Sequence, residues 1–136
     1  MSPDNSSSLV EVLDLGQGIV KITLNDPSHQ NTLSEKMIDE LQSTFDDLST
    51  GPSRVLILSS TGKVFSAGHD LKELKAARSH PDQGKEYFQF ILKKCSTLMQ
   101  TIVNHPKPVI AQVEGVATAA GCQLALSCDL VYASST

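Results

Sequence analysis

Two short apolar runs constrain this chain more than any other feature: Val55-Leu56-Ile57-Leu58 and Val109-Ile110-Ala111-Gln112-Val113. Runs of this length, bounded by turn-forming residues, suit strands buried on both faces of a sheet. Between them, Phe88, Ile91, Leu92, Cys95, Leu98, Met99 and Ile102 recur at helical spacing within Lys85 to Asn104. That spacing predicts an amphipathic helix whose marked residues belong to the core. Strands alternating with helices in this way define an α/β class with a largely buried sheet.

The flanking segments extend the pattern. Leu9 to Leu15 and the β-rich Ile19 to Leu24 read as two strands around Gly16-Gln17-Gly18. Asn25-Asp26-Pro27-Ser28 ends the second strand. Thr32-Leu33-Ser34-Glu35 has the form of a capping box, with Thr32 as N-cap. Leu33, Met37, Ile38, Leu41, Phe45 and Leu48 then mark one helical face, and Gly51-Pro52 stops it. Thr61 to Leu71 reads as a loop, Ser79 to Gly84 as an exposed linker, and Pro106 with Pro108 as the end of the second helix. A small-residue helix from Cys122 to Ser127 and a strand from Asp129 to Tyr132 complete an order of ββα, βα, βα, β.

Composition excludes several function classes. The 136 residues suffice for one domain, with 40% apolar residues and a net charge of −4. No basic stripe suited to nucleic acid is visible, and no apolar run is long enough for a bilayer. Cys95, Cys122 and Cys128 are odd in number and form no C-x-x-C, which favours buried thiols in a reducing compartment over a disulfide framework. No cysteine or histidine pair has metal-ligand spacing, so no metal site is expected. Residues 1–8 are polar, contain no Arg or Lys, and read as a disordered lead-in to a domain at 9–136. The lack of a leader-like start favours the cytoplasm, with the mitochondrial matrix as the alternative.

Two loops carry the chemistry-bearing signals. Phe65-Ser66-Ala67-Gly68-His69-Asp70-Leu71 follows one strand, and Gly115-Val116-Ala117-Thr118-Ala119-Ala120-Gly121-Cys122-Gln123 follows another and opens a helix. Small residues leave backbone N–H groups uncovered, and those at a helix N-terminus carry partial positive charge. Two such donors aimed at one point could hold a carbonyl oxygen as it becomes an anion. Tight helix–sheet packing through Ala119, Ala120 and Gly121 explains the second loop equally well from spacing alone. Neither the dinucleotide pattern G-x-G-x-x-G nor the P-loop pattern is present.

Phe65-Ser66-Ala67-Gly68-His69-Asp70-Leu71-Lys72-Glu73-Leu74 resembles a segment of the enoyl-CoA hydratase/isomerase (crotonase) superfamily, F-[SC]-A-G-x-D-[LI]-K-E-[LM]. His105 to Ala111 resembles its K-P-V-I-A strand, and Val113 to Ala125 with Cys128-Asp129-Leu130 resembles V-x-G-x-A-x-G-G-G-x-E-L-A…C-D. Leu24-Asn25-Asp26-Pro27 with Asn31-Thr32-Leu33 resembles its N-x-P…N-[AT]-L segment. The wording around Gly68 and Ala119 is most similar to the branch called enoyl-CoA hydratase domain-containing proteins, whose known members are mitochondrial.

The resemblance implies a crotonase-type ββα spiral, incomplete, with the C-terminal half absent. It implies an acyl-CoA enzyme that stabilises a thioester enolate between the N–H groups of His69 and Ala120. Ala67, His69, Asp70, Leu71, Lys72 and Ala120 would line the substrate site, with Lys72 either near the CoA phosphates or simply solvated. Coenzyme A enters as part of the substrate, and no separate cofactor is implied. Gln123 stands where family hydratases carry their first catalytic glutamate. An amide takes no proton near neutral pH, so classical hydratase activity is expected to be weak or absent, although Gln123 can still orient water. The alternatives are a non-catalytic acyl-CoA binder and an inactive truncated form. The His69 imidazole is a second candidate acid or base. Asp70 is expected to cap or brace its loop, and Asp129 to buttress the helix N-terminus. Full-length relatives form trimers or hexamers, so a homo-oligomer is implied. Exposed apolar surface after Pro108 is expected to promote association of the 136-residue chain.

Overall fold

The structure is a computed structural model that describes residues 7–135. Its elements run β1 (Val10–Gly16), β2 (Ile19–Leu24), a single 3-10 turn (Pro27–His29), α1 (Glu35–Asp47), β3 (Val55–Ser60), β4 (Val64–Ser66), α2 (Leu71–Ala77), α3 (Lys85–Val103), β5 (Val109–Val113), β6 (Val116–Ala117), α4 (Ala120–Leu126) and β7 (Leu130–Ala133). The main sheet has the order β1-β2-β3-β5-β7. β1 is antiparallel to β2, and the other neighbours are parallel. β4 and β6 form a separate parallel ribbon. The α/β class holds.

The elements follow from local chemistry. The β1–β2 hairpin turns through Gly16, Gln17 and Gly18, all with positive φ. Such turns match the twist of the flanking strands. Helix α1 begins after Ser34, whose Oγ accepts from the Met37 N–H at 3.1 Å. The capping box expected from Thr32 and Glu35 is therefore not formed. Leu33 instead bridges to His69, which holds residue 33 extended and starts the helix two residues later. Thr32 Oγ1 is left buried with no hydrogen-bond partner.

Val20, Ile22, Leu24, Leu56, Leu58, Val109, Ala111 and Val113 form the buried sheet face. Helices α1 and α3 contribute Met37, Ile38, Leu41 and Phe45, and Ile91, Cys95, Leu98, Met99 and Ile102, to the same core cluster. Removing a fully buried ring such as Phe45 typically costs about 3–5 kcal/mol. The second sheet face differs from expectation. β3 and β5 alternate between buried and half-buried positions instead of being buried on both faces. A register row of Leu13, Lys21, Ile57, Ile110 and Leu130 crosses this second face. Its ends are open, with Leu13 57% and Leu130 54% exposed. β7 is exposed along its whole length.

Residues 1–6 of the expected lead-in lie outside the described residues. Ser7 and Ser8 are tied to α1: Lys36 Nζ donates to the Ser7 carbonyl at 3.0 Å, and Ser8 Oγ donates to Glu40 at 2.8 Å. Among the described residues no helix is long and apolar enough to cross a membrane.

Candidate functional site

The first loop is stitched to the segment 30–33 by polar contacts around Asn31. This side chain is fully buried. Its Nδ2 donates to the carbonyls of Thr61 and Val64, both at 2.9 Å, and its Oδ1 accepts from the Asp26 N–H at 2.7 Å. Ser66 Oγ donates to the Asn31 carbonyl at 2.8 Å, Ala67 N–H donates to Gln30 at 3.1 Å, and Leu33 N–H donates to Gly68 at 2.7 Å. Buried polar groups satisfied this completely fix one local geometry. Asn31 is a positioning residue that the chemistry-led reading of the sequence passed over.

The second loop is held against the first. Thr118 N–H donates to the Ser66 carbonyl at 3.1 Å, which continues the β4–β6 ribbon. A β-carbon on Gly68 would lie 3.1 Å from the Ala120 nitrogen and 3.0 Å from the Ala119 β-carbon. The two loops are therefore in van der Waals contact at the residues singled out by sequence. Ala119 reaches this position with φ 52° and ψ −128°. That region is essentially restricted to glycine, so an alanine there is strained.

Helix α4 starts at Ala120, two residues before the expected Cys122, and this decides which donor is free. Its first turn closes with Gly121 N–H to Thr118 at 2.9 Å and Gln123 N–H to Ala119 at 3.2 Å. Ala120 N–H precedes these bonds, as the first N–H groups of any helix do. Neither it nor the His69 N–H donates to a protein acceptor among the described residues. Two uncovered donors thus sit at the meeting point of the loops.

Ala67, His69, Asp70, Leu71 and Lys72 line one cavity of about 310 Å³, together with Thr32 and the turn 28–30. His69 Nδ1 is buried with no partner, and burial pushes the imidazole pKa down from its ordinary value of 6.5. The ring is therefore mainly neutral at neutral pH. Asp70 caps α2, its Oδ1 accepting from Lys72 N–H at 2.9 Å and Glu73 N–H at 3.4 Å. Leu71 and Lys72 are exposed at the cavity rim. Gln123 is exposed on α4 and does not line this cavity. A larger surface concavity of about 630 Å³ beside Glu35, Asp39, Glu40 and Glu73 contains none of the candidate catalytic or substrate-binding residues.

Asp129 does not buttress α4 as expected. Its Oδ2 accepts from Val109 N–H at 2.8 Å and fixes the start of β5, because β7 lies beside β5 in the sheet. Cys95 and Cys128 are buried free thiols, and burial pushes the Cys128 thiol up to about 12. Cys122 departs from the buried-thiol expectation, being half-buried on the short helix α4. Among the described residues no group of three or more His, Cys, Asp or Glu could hold a metal ion.

With this geometry in place, comparison with known proteins is specific. Residues 14–136 match the family model described as enoyl-CoA hydratase/isomerase. Human enoyl-CoA hydratase domain-containing protein 3, mitochondrial, is 47% identical over 118 residues, covering 86% of this chain and 37% of the relative. The crystal structure of that human protein superposes with a TM-score of 0.82 at 45% identity, over 92% of this chain and 47% of the other. The crystal structure of enoyl-CoA hydratase from Mycobacterium smegmatis gives a TM-score of 0.85 at 41% identity, over 93% and 48% respectively. The chain thus spans less than half the length of these relatives. Sequence motifs, loop geometry and superposition agree, and the chain belongs to the enoyl-CoA hydratase/isomerase (crotonase) family.

Proposed function

We propose that this chain binds an acyl-CoA thioester with its carbonyl oxygen between the N–H groups of His69 and Ala120, in the manner of an enoyl-CoA hydratase or isomerase. The supporting observation is the contact between the two loops at Gly68 and Ala120, where neither the His69 nor the Ala120 N–H has a protein acceptor. Donors fixed in advance, where negative charge will develop, stabilise an enolate without reorganising at the moment of reaction. Losing one such donor costs about 3–4 kcal/mol of transition-state stabilisation. Both contacts use backbone, so histidine and alanine serve at these positions. Ala67, Asp70, Leu71 and Lys72 complete the substrate site, with Lys72 at the rim as a partner for CoA phosphate.

Proton transfer is the weak part of a classical hydratase mechanism here. Gln123 can orient water but cannot accept its proton. A pocket for acyl-CoA that lacks rapid water addition is favoured by that residue alone, which keeps a non-catalytic acyl-CoA binder as the second reading. Binding and turnover of crotonyl-CoA, followed by calorimetry and by loss of the enone absorbance, separate the two. Binding with slow or no turnover is expected, and absence of binding would remove both readings.

The human relative named above is mitochondrial, which supports a mitochondrial location, and the cytoplasmic expectation gains no support from it. The open apolar ends of the second sheet face and the exposed strand β7 support self-association. Sedimentation would report a concentration-dependent oligomer.

A further inference from the structure

Gly68 needs support from outside, because a glycine at φ 91° lets the peptides on either side of it turn at little cost. The peptide that follows it carries the His69 N–H. A planar trans peptide points its N–H away from its own carbonyl, so whatever holds the Gly68 carbonyl also aims the His69 N–H. That carbonyl accepts from the Leu33 N–H at 2.7 Å. The peptide before Gly68 is pinned separately, its N–H donating to Ser66 Oγ at 3.3 Å. The same hydroxyl donates to the Asn31 carbonyl at 2.8 Å, in the segment that supplies Leu33. One fully buried hydroxyl thus ties the Gly68 backbone to the segment that holds its carbonyl. We propose that Ser66 is a positioning residue whose hydroxyl sets the direction of the His69 N–H, and with it the polarisation of a bound thioester carbonyl. This rests on the acyl-CoA reading above.

Two features separate this role from ordinary packing. The hydroxyl has one proton to give, which goes to Asn31, and it keeps a lone pair for Gly68, so the place demands an atom that both donates and accepts. Ser66 also touches the second loop. Its carbonyl accepts from the Thr118 N–H at 3.1 Å, and a β-carbon on Gly121 would lie 2.7 Å from the Ser66 β-carbon. One residue therefore references the first donor to the loop that carries Ala120. Donors aimed in advance are what stabilise developing negative charge, and a donor turned aside still lines the site but polarises its ligand less. The effect belongs to the carbonyl and leaves the rest of the CoA contacts alone.

Two measurements on the full chain test this. One is calorimetric titration with crotonyl-CoA and with crotyl-CoA, the thioether that lacks the carbonyl oxygen. The other is the infrared carbonyl stretch of bound crotonyl-CoA, isotope-labelled at the thioester. The unsubstituted chain should lower that stretch relative to the free ligand. Ser66→Ala should lose about half of the lowering, the share of one donor in two. It should weaken crotonyl-CoA about tenfold, as the loss of one buried hydrogen bond does, and leave the thioether unchanged. Ser66→Cys, whose thiol donates and accepts weakly, should show a smaller loss in the same direction, and it carries the comparison should Ser66→Ala fail to fold. Ile102→Val, in the buried core outside the two loops, should lower the melting temperature and leave the carbonyl stretch where it was. An unchanged stretch in the Ser66 variants, or equal weakening of both ligands, would overturn the proposal while the acyl-CoA reading stood. Failure of the unsubstituted chain to bind crotonyl-CoA would overturn that reading and the proposal with it.

Discussion

Gly121 at the start of α4 presses directly on the carbonyl oxygen of Ser66 in β4: a β-carbon at position 121 would lie 2.2 Å from that oxygen. The obstacle is backbone, which cannot rotate away as a side chain would. Overpacking of this kind costs about 1–3 kcal/mol. Gly121→Ala should therefore sit at the upper end of that range in a urea melt. It should also drive Ala120 away from His69, so crotonyl-CoA binding should fall more than the stability loss explains.

Strain at Ala119 predicts the opposite outcome. Its φ of 52° with ψ of −128° is a conformation that costs a residue with a β-carbon about 1–3 kcal/mol. Glycine removes that cost but adds about 0.5–1 kcal/mol of chain entropy to the unfolded state. Ala119→Gly should stabilise the chain by about 1 kcal/mol net, read as a higher melting temperature.

Burial of His69 makes stability depend on pH in a defined direction. Its folded pKa lies below the ordinary 6.5, so the unfolded chain binds more protons in the interval between the two values. The contribution of neutral His69 is fully present above about pH 6.5 and is lost as pH falls through the folded value. Melting temperatures should decline from pH 7.5 towards 5.5, and His69→Asn should flatten that decline. Asp82 acts lower on the scale: hydrogen bonds from the Glu86 and Gly84 backbones hold its pKa below 3.8, so its contribution persists above that value and fades beneath it.

The three thiols should differ in reactivity. Thiolate, not thiol, attacks a disulfide reagent, and burial pushes Cys128 up to about 12 and raises Cys95 as well. Cys122 is the accessible one. A colorimetric thiol titration at pH 8 should count one fast thiol in the folded chain and three in denaturant. Cys122→Ser should abolish the fast phase.

Much of the architecture was legible in residue order. The β1–β2 hairpin, α1, α3 and the strands β3, β5 and β7 lie where alternation and helical spacing put them, because each is long enough to show a period. β4, α2 and β6 carry no periodic signal of their own, while α4, as short as α2, showed only through its small residues and begins two residues earlier than expected. Thr32 reads as the cap from sequence, whereas the bridge from Leu33 to His69 holds residue 33 extended and Ser34 caps α1 instead.

The sequence by itself determined the fold class, the family, and the identity of the two loops, since these depend on periodicity and on ordered motifs. Tertiary structure alone decided what those loops can do. Ser66 and Gly121 are far apart in the chain, and their contact is what brings Gly68 against Ala120 and leaves two N–H groups uncovered. Long-range packing likewise drew Asp129 to Val109 and left Thr32 Oγ1 and His69 Nδ1 buried without hydrogen-bond partners. Such outcomes depend on which distant backbone atoms come into van der Waals range, and no local propensity encodes that distance.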